Sequence, residues 1–285
     1  MSIFSRASVY LELIKFQHTI FALPFAILSA FLAAGGFPGY AKFGWILLAM
    51  VGARSAAMAF NRLMDERYDR ENPRTAKRPL ATGLVKRGEV WGFTIVSIAV
   101  FVWAAYSLNP LAFYLSPVAI VVILSYSLAK RFTSLAHLWL GLALAIAPVG
   151  AWIAVTGEFA VPPIWLALAV MLWTAGFDII YSCMDHDYDV KAGLFSIPGR
   201  FGIPKALKLS AVLHFFTLGA LAAFLWFARL GIFSWVGLAL VACLLAYEHW
   251  LVRPDDLGRV NTAFFYVNAI ISFGMMCTSL LDIYL

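Results

Sequence analysis

Seven residues in two short stretches could do chemistry in an otherwise apolar chain. In NRLMDERYD, Asn61, Asp65 and Asp69 recur every four residues. In DIIYSCMDHDYD, Asp178, Tyr181, Asp185 and Asp189 recur at three- and four-residue steps. On an α-helix such spacing stacks side chains on one face. Asp187 falls off that face and is expected in solvent. Hard oxygen donors suit Mg²⁺, which keeps waters, takes one or two carboxylates and bridges to phosphate oxygens. Carboxylates crowded near a membrane repel one another and are costly unless cations compensate them. The spacing therefore points to divalent cations holding a phosphorylated ligand. The bland alternative is a solvated helix end with local ion pairs to Arg62 and Arg67. Two such clusters at matching places weigh against it.

Basic residues stand beside both clusters. Arg74, Lys77 and Arg78 follow the first, Lys191 follows the second, and Lys130 and Arg131 lie between them. Guanidinium forks and ammonium point charges both fit phosphate oxygens. Arg74, Arg78, Lys130 and Arg131 are expected to contact phosphate. Lys86 and Arg87 are expected only to set topology.

These residues need elements to position them. The chain has 285 residues, 63% of them hydrophobic and only 13% charged. Soluble domains carry about 25% charged residues, so this is the composition of an integral membrane protein. A membrane span needs about 20 mostly apolar residues. Nine segments qualify, at 17–36, 43–60, 90–108, 110–128, 135–156, 161–181, 207–228, 231–250 and 262–283. The first resembles a signal peptide, but the eight that follow favour a transmembrane helix. Asn109-Pro110 and Pro162-Pro163 mark tight connections, because proline stops a helix just before itself.

Placing the N-terminus and every second loop on one side gathers eighteen of the 21 Lys and Arg there. That side is expected to be cytoplasmic, and both acidic clusters lie on it. The basic excess sits in short loops, so a nucleic-acid partner is not expected. Cys183, Cys243 and Cys277 have no metal spacing and read as free packing thiols. The five histidines lack zinc spacing, and no Walker or dinucleotide loop is present.

The first cluster follows span two and the second follows span six. The whole chain, 1–285, therefore reads as one all-α membrane domain with two four-helix repeats, about 1–133 and 134–255. They surround a central cavity, and a ninth helix at 262–283 is appended. A repeat brings equivalent helix ends together, so the two acidic faces are expected to oppose each other.

Four blocks in order resemble the UbiA superfamily of intramembrane prenyltransferases. NRLMDERYD is similar to its first aspartate motif. Asp178 to Asp189, then Lys191, Gly193 and Ser196, is similar to its second. RTAKRPLATG (74–83) and YSLAKRFT (126–133) are similar to two further stretches. The resemblance implies Mg²⁺-dependent transfer of a polyprenyl group from its diphosphate to an aromatic acceptor, in a bacterial inner membrane with the site facing the cytoplasm. It implies that Asn61, Asp65, Asp69, Asp185 and Asp189 hold Mg²⁺. Arg74, Arg78, Lys130, Arg131 and Lys191 would bind the diphosphate. Asp185 and Arg131 would take catalytic roles, Asp185 by orienting or deprotonating the acceptor hydroxyl. Arg54, Tyr126, Asp178 and Tyr181 are candidates for the acceptor site.

The 4-hydroxybenzoate polyprenyltransferases of quinone biosynthesis are the nearest fit. The blocks LIKFQHTIFALPFA and RSAAMAFNR look more like the branch assigned to menaquinone made through futalosine, which leaves the acceptor open. His18 reads as an interfacial histidine. The main reading outside enzymes is a transporter with an acidic cation path.

Overall fold

The structure is a computed structural model that describes residues 3–285. Among these residues every regular element is helical, and nine helical stretches are long and apolar enough to cross a membrane. Their main bodies are labelled α1 Leu23–Ala34, α2 Tyr40–Glu71, α3 Arg87–Leu108, α4 Pro110–Ala129 and α5 Ala136–Thr156. The rest are α6 Val161–Ser182, α7 Ile203–Ala228, α8 Ile232–Leu251 and α9 Asn268–Tyr284. The nine expected spans are all present.

The boundaries differ where the chemistry lies. The apolar segment at 43–60 becomes a 32-residue helix, because α2 continues past its last apolar stretch to Glu71. That extension carries Asn61, Asp65 and Asp69. The sixth span is interrupted: α6 ends at Ser182, a 3-10 turn covers Cys183–Asp185, and a short helix resumes at His186–Ala192. Asp178 to Asp189 therefore do not share one regular helical face as the spacing implies. The tightened turn resets the helical phase between Tyr181 and Asp189.

Local chemistry explains the tight corner at 108–110. Pro110 supplies the fixed first-turn φ of α4, and Asn109 Oδ1 accepts from the Ala112 N–H at 2.9 Å. The Asn109 amide also donates to Ile153 O at 2.7 Å, tying this corner to the far end of α5.

Packing joins α2 to α3 and α6 to α7. The helix α5 packs along α6, while α1 packs on α5 and α9. The second half is filled by a large apolar core that includes Trp173, Phe177, Phe224, Leu225, Ile271 and Met275. The first half encloses an apolar cavity of about 490 Å³, walled mainly by α2, α3, α4 and α5. Of the three free cysteines only Cys183 is buried; Cys243 and Cys277 are exposed on the outside of the bundle, so packing accounts for the first alone.

The α5–α6 contact depends on Gly141. A Cβ at this position would lie 2.2 Å from the Met171 carbonyl oxygen, a backbone atom that cannot rotate away. Gly141→Ala is expected to push the helices apart and destabilise the fold by about 1–3 kcal/mol. Thermal unfolding of the detergent-solubilised protein checks this. An unchanged melting temperature would mean that the two helices separate freely.

Candidate active site

The ends of α2 and of the sixth span meet across one polar pocket of about 210 Å³. Asn61, Asp65 and Asp69 line it from α2, while Asp178, Tyr181, Asp185 and Asp189 line it from the opposite wall. The two acidic faces are bound together directly. The Asn72 amide donates to Asp185 Oδ1 at 3.0 Å, and Tyr188 Oη donates to Tyr68 O at 2.9 Å.

Compensating charges face both walls. Arg74 grips Asp185 with two hydrogen bonds, Nε to Oδ1 at 2.8 Å and Nη2 to Oδ2. Arg78 Nη1 donates to Asp69 Oδ1 at 2.6 Å. Lys130 Nζ lies 3.6 Å from Asp189, and Arg131 lies 3.7 Å from Asp65. The Asn61 amide donates to the other Asp65 oxygen at 2.8 Å. Burial alone would lower the affinity of Lys130 for its proton. The surrounding carboxylates, Asp189 first, outweigh burial and raise it above the ordinary lysine value. Arg74 is likewise raised: burial works against its charge, but the hydrogen bonds to Asp185 prevail.

The loops that hold these groups are short and anchored. Gly193 adopts a left-handed φ of 66°, which ends the last helical turn of the sixth span and sends the chain back toward α4. The Phe195 N–H then donates to Lys130 O at 2.7 Å, fixing the residue that faces Asp189. On the other side, Thr75 Oγ1 donates to Asp69 O at 3.2 Å, folding the 72–78 segment over the end of α2.

Most of the expected site residues are brought together here. Arg74, Arg78, Lys130 and Arg131 line the pocket, and so do Tyr126, Asp178 and Tyr181. Tyr181 accepts a hydrogen bond from Arg74 Nη1 at 2.7 Å and lies beneath its guanidinium. Three residues stand elsewhere. Lys191 is exposed and does not line the pocket, because the helical turn after Asp189 rotates it outward. Arg54 lines the apolar cavity. His18, expected at an interface, packs instead among Phe21, Phe264 and Phe265. Asp187 is exposed as expected.

The local ion pairs of the bland reading do exist, but on the outer face of α2. Arg67 pairs with Glu71 at 3.2 Å and Arg70 with Glu66 at 2.7 Å. Arg87, expected to set topology only, also reaches Glu66 at 3.5 Å. The aspartates face inward; Asp65, Asp185 and Asp189 meet cations distant in sequence, and Asp69 meets Arg78 nine residues on.

Sequence reasoning missed Asn72, Tyr68, Tyr188 and His137. His137 is fully buried and bonds Asp178 through Nδ1 at 2.6 Å. The signal was weak, since a single histidine at the start of an apolar helix ordinarily reads as packing.

Among the described residues no three His, Cys, Asp or Glu side chains converge as metal ligands. The carboxylates turn instead toward Arg and Lys. The donor set still fits Mg²⁺, being all oxygen, and Asp189 Oδ2 is buried without a hydrogen-bond partner.

The polar pocket adjoins the apolar cavity. Tyr126 and Leu140 line both, so the two lie side by side. A charged pocket beside a greasy cavity inside a membrane bundle has the chemistry to take an amphiphilic anion. Residues 22–270 match the UbiA prenyltransferase family, and the chain belongs to it. It is a prenyltransferase. The 4-hydroxybenzoate octaprenyltransferase of Haemophilus ducreyi is 31% identical over 277 residues, 96% of this chain and 99% of that one. The enzyme of the same description from Alkalilimnicola ehrlichii is 31% identical over 287 residues, covering 98% and 96%. A UbiA homolog from Aeropyrum pernix K1, solved in its apo form, is 36% identical with a TM-score of 0.84, covering 93% of this chain and 98% of that one. A homolog from Archaeoglobus fulgidus, solved with GPP and Mg²⁺, is 23% identical with a TM-score of 0.76, covering 97% and 100%.

The Arg74–Asp185 pair makes a sharp test of charge compensation. Arg74→Met leaves a buried carboxylate unpaired, whereas Arg74→Met with Asp185→Asn removes both charges. The single variant is expected to melt at a lower temperature than the double variant. Additive losses in this double-mutant cycle would show that the pair is not coupled.

Proposed function

We propose that this protein transfers a polyprenyl group from polyprenyl diphosphate to an aromatic acceptor of the 4-hydroxybenzoate type, with Mg²⁺, in quinone biosynthesis. The observation that carries this reading is the adjacency of a cation-rich pocket and an apolar cavity, which share Tyr126 and Leu140. A diphosphate head fits the first compartment and an isoprenoid tail fits the second. The relatives' ligands, 4-hydroxybenzoate in the name of one set and GPP bound in another, support both halves. A charge path across the membrane has less support, because the acids gather at one mouth of the bundle.

In this reading Asn61, Asp65, Asp69, Asp185 and Asp189 would hold Mg²⁺. When bound, the ion neutralises the diphosphate as it leaves. Arg78, Lys130 and Arg131 bind the remaining oxygens, and Arg74 holds Asp185 in place. An incoming diphosphate competes for these cations and releases their carboxylates. The apolar walls exclude water, which would otherwise quench an allylic cation to the alcohol. Preorganised positive charge in a water-poor site lowers the barrier to C–O cleavage far more than it would in water.

Arg54 supplies a cation for an acceptor carboxylate. Its Nε is buried without a hydrogen-bond partner on the cavity wall, which Thr19 and Tyr126 also line. The single hydrogen bond recorded for its guanidinium, Nη2 to Lys15 O, is long at 3.4 Å. By charge distribution the pocket faces the cytoplasm, and in a bacterium the host bilayer is the inner membrane.

The test is a direct assay in liposomes with polyprenyl diphosphate, 4-hydroxybenzoate and Mg²⁺, following the prenylated ring and released diphosphate. Asp65→Asn and Asp185→Asn are each expected to reduce turnover at least about 100-fold while the protein stays folded. Chelation with EDTA should stop the reaction and added Mg²⁺ should restore it. Full activity in either variant, or turnover that survives chelation, contradicts the metal assignment.

A further inference from the structure

We propose that Asp178 is the proton acceptor of the transfer reaction and that His137 is its positioning residue. This rests on the prenyl-transfer reading above and gives it a base.

Of the carboxylates lining the polar pocket, Asp65, Asp69, Asp185 and Asp189 each lie within 4.0 Å of an arginine or lysine. Asp178 is the exception among the described residues. Its recorded partner is His137, whose Nδ1 lies 2.6 Å from Oδ2. The histidine is fully buried, and its other nitrogen, Nε2, accepts the backbone N–H of Ile197 at 3.3 Å. A nitrogen that accepts a hydrogen bond carries no proton, so the imidazole holds its single proton on Nδ1 and donates it to Asp178. The carboxylate is thus oriented by a neutral donor, and Oδ1 carries no hydrogen bond among the described residues. A carboxylate pinned by a guanidinium on both oxygens, as Asp185 is by Arg74, is a poor base. One held at a single oxygen by a neutral group remains available.

Position supports the same role. Asp178 sits seven residues before Asp185, so it lies about 10–12 Å deeper along the sixth span, four α-helical steps and a 3-10 turn away. Leu140, which lines both compartments, is one turn from His137 on α5. Tyr126, which also lines both, lies one turn deeper than Lys130 on α4. A ligand with its diphosphate in the polar pocket and its tail in the apolar cavity must place its first allylic carbon at this junction. That is where the acceptor ring is attacked and where a proton must leave.

The step balances without another reagent. The allylic C–O bond breaks, and its electron pair leaves on diphosphate. A π pair of the acceptor ring forms the new C–C bond. The C–H bond at the attacked carbon then breaks, its pair returns to the ring, and the proton passes to Asp178 Oδ1. Water entering as product leaves carries that proton away.

The experiment compares 4-hydroxybenzoate with its ring-deuterated form, using the full-length protein in liposomes with polyprenyl diphosphate and Mg²⁺. Asp178→Asn is expected to lower kcat at least about 100-fold. Affinity for a thiolo-diphosphate substrate analogue should stay within about threefold of wild type. In the same variant ring-proton loss should become rate-limiting, so a primary isotope effect above about 2 should appear on kcat. His137→Ala is expected to lower kcat about tenfold with KM unchanged. His137→Asn, whose amide N–H can replace Nδ1–H, should recover most of that loss. The proposal is overturned if Asp178→Asn keeps more than about a third of wild-type kcat. Loss of analogue binding along with turnover, or a reduced rate with no isotope effect, also overturns it. If Asp178→Asn does not fold, the histidine pair decides: equal losses in His137→Ala and His137→Asn overturn the role. A wild-type protein inactive on every aromatic acceptor overturns the prenyl-transfer reading itself, whereas an active wild type with an unaffected Asp178→Asn sinks this assignment alone.

Discussion

Charge compensation at the rim of a low-dielectric bundle governs this structure. Four aspartates brought together there would repel strongly and lose hydration. The fold answers with four cations, each drawn from a different place relative to its partner. Arg74 and Arg78 come from the segment after α2, and Lys130 and Arg131 from the end of α4. The pairing is cross-braced, since Arg74 leaves the α2 side and holds Asp185 on the opposite wall. The same cations that stabilise the carboxylates give the pocket the charge an anionic ligand needs.

The rest of the molecule provides the two environments that an amphiphilic anion needs. The second half is packed with aromatic and aliphatic side chains and acts as a rigid wall. The first half is hollow and greasy. Tyr181 links the two functions: it stacks on Phe264 of the packed half, with ring centroids 4.2 Å apart, and accepts a hydrogen bond from Arg74 in the pocket. A long apolar substrate therefore meets a soft, open compartment on one side and a fixed electrostatic frame on the other.

Membership of the UbiA family agrees with this division of labour. Relatives described as 4-hydroxybenzoate octaprenyltransferases align over nearly the whole chain, so the correspondence includes the hollow half as well as the polar rim. The interruption at Cys183–Asp185 is a local departure from helical geometry at the point of greatest charge density. The tighter turn shifts Asp185 and Asp189 out of the helical phase set by Asp178 and Tyr181.

Much was legible in the residues alone. The nine apolar stretches and the one-sided Lys and Arg followed from composition and span length, because a bilayer demands about 20 apolar residues per crossing. Asp65, Asp69, Asp185 and Asp189 stood out because acids are rare in such a chain and their spacing is helical. Other features needed the tertiary fold. Lys191 looked equivalent to Lys130 in sequence, yet one turns to solvent and the other meets Asp189. His137 and Asn72 carried no periodic signal, since their partners Asp178 and Asp185 lie 41 and 113 residues away. Which carboxylate receives which cation is set by the packing of α2, α4 and the sixth span, not by spacing along any one of them. Local sequence can fix what faces a helix end presents, but only three-dimensional packing fixes what those faces meet.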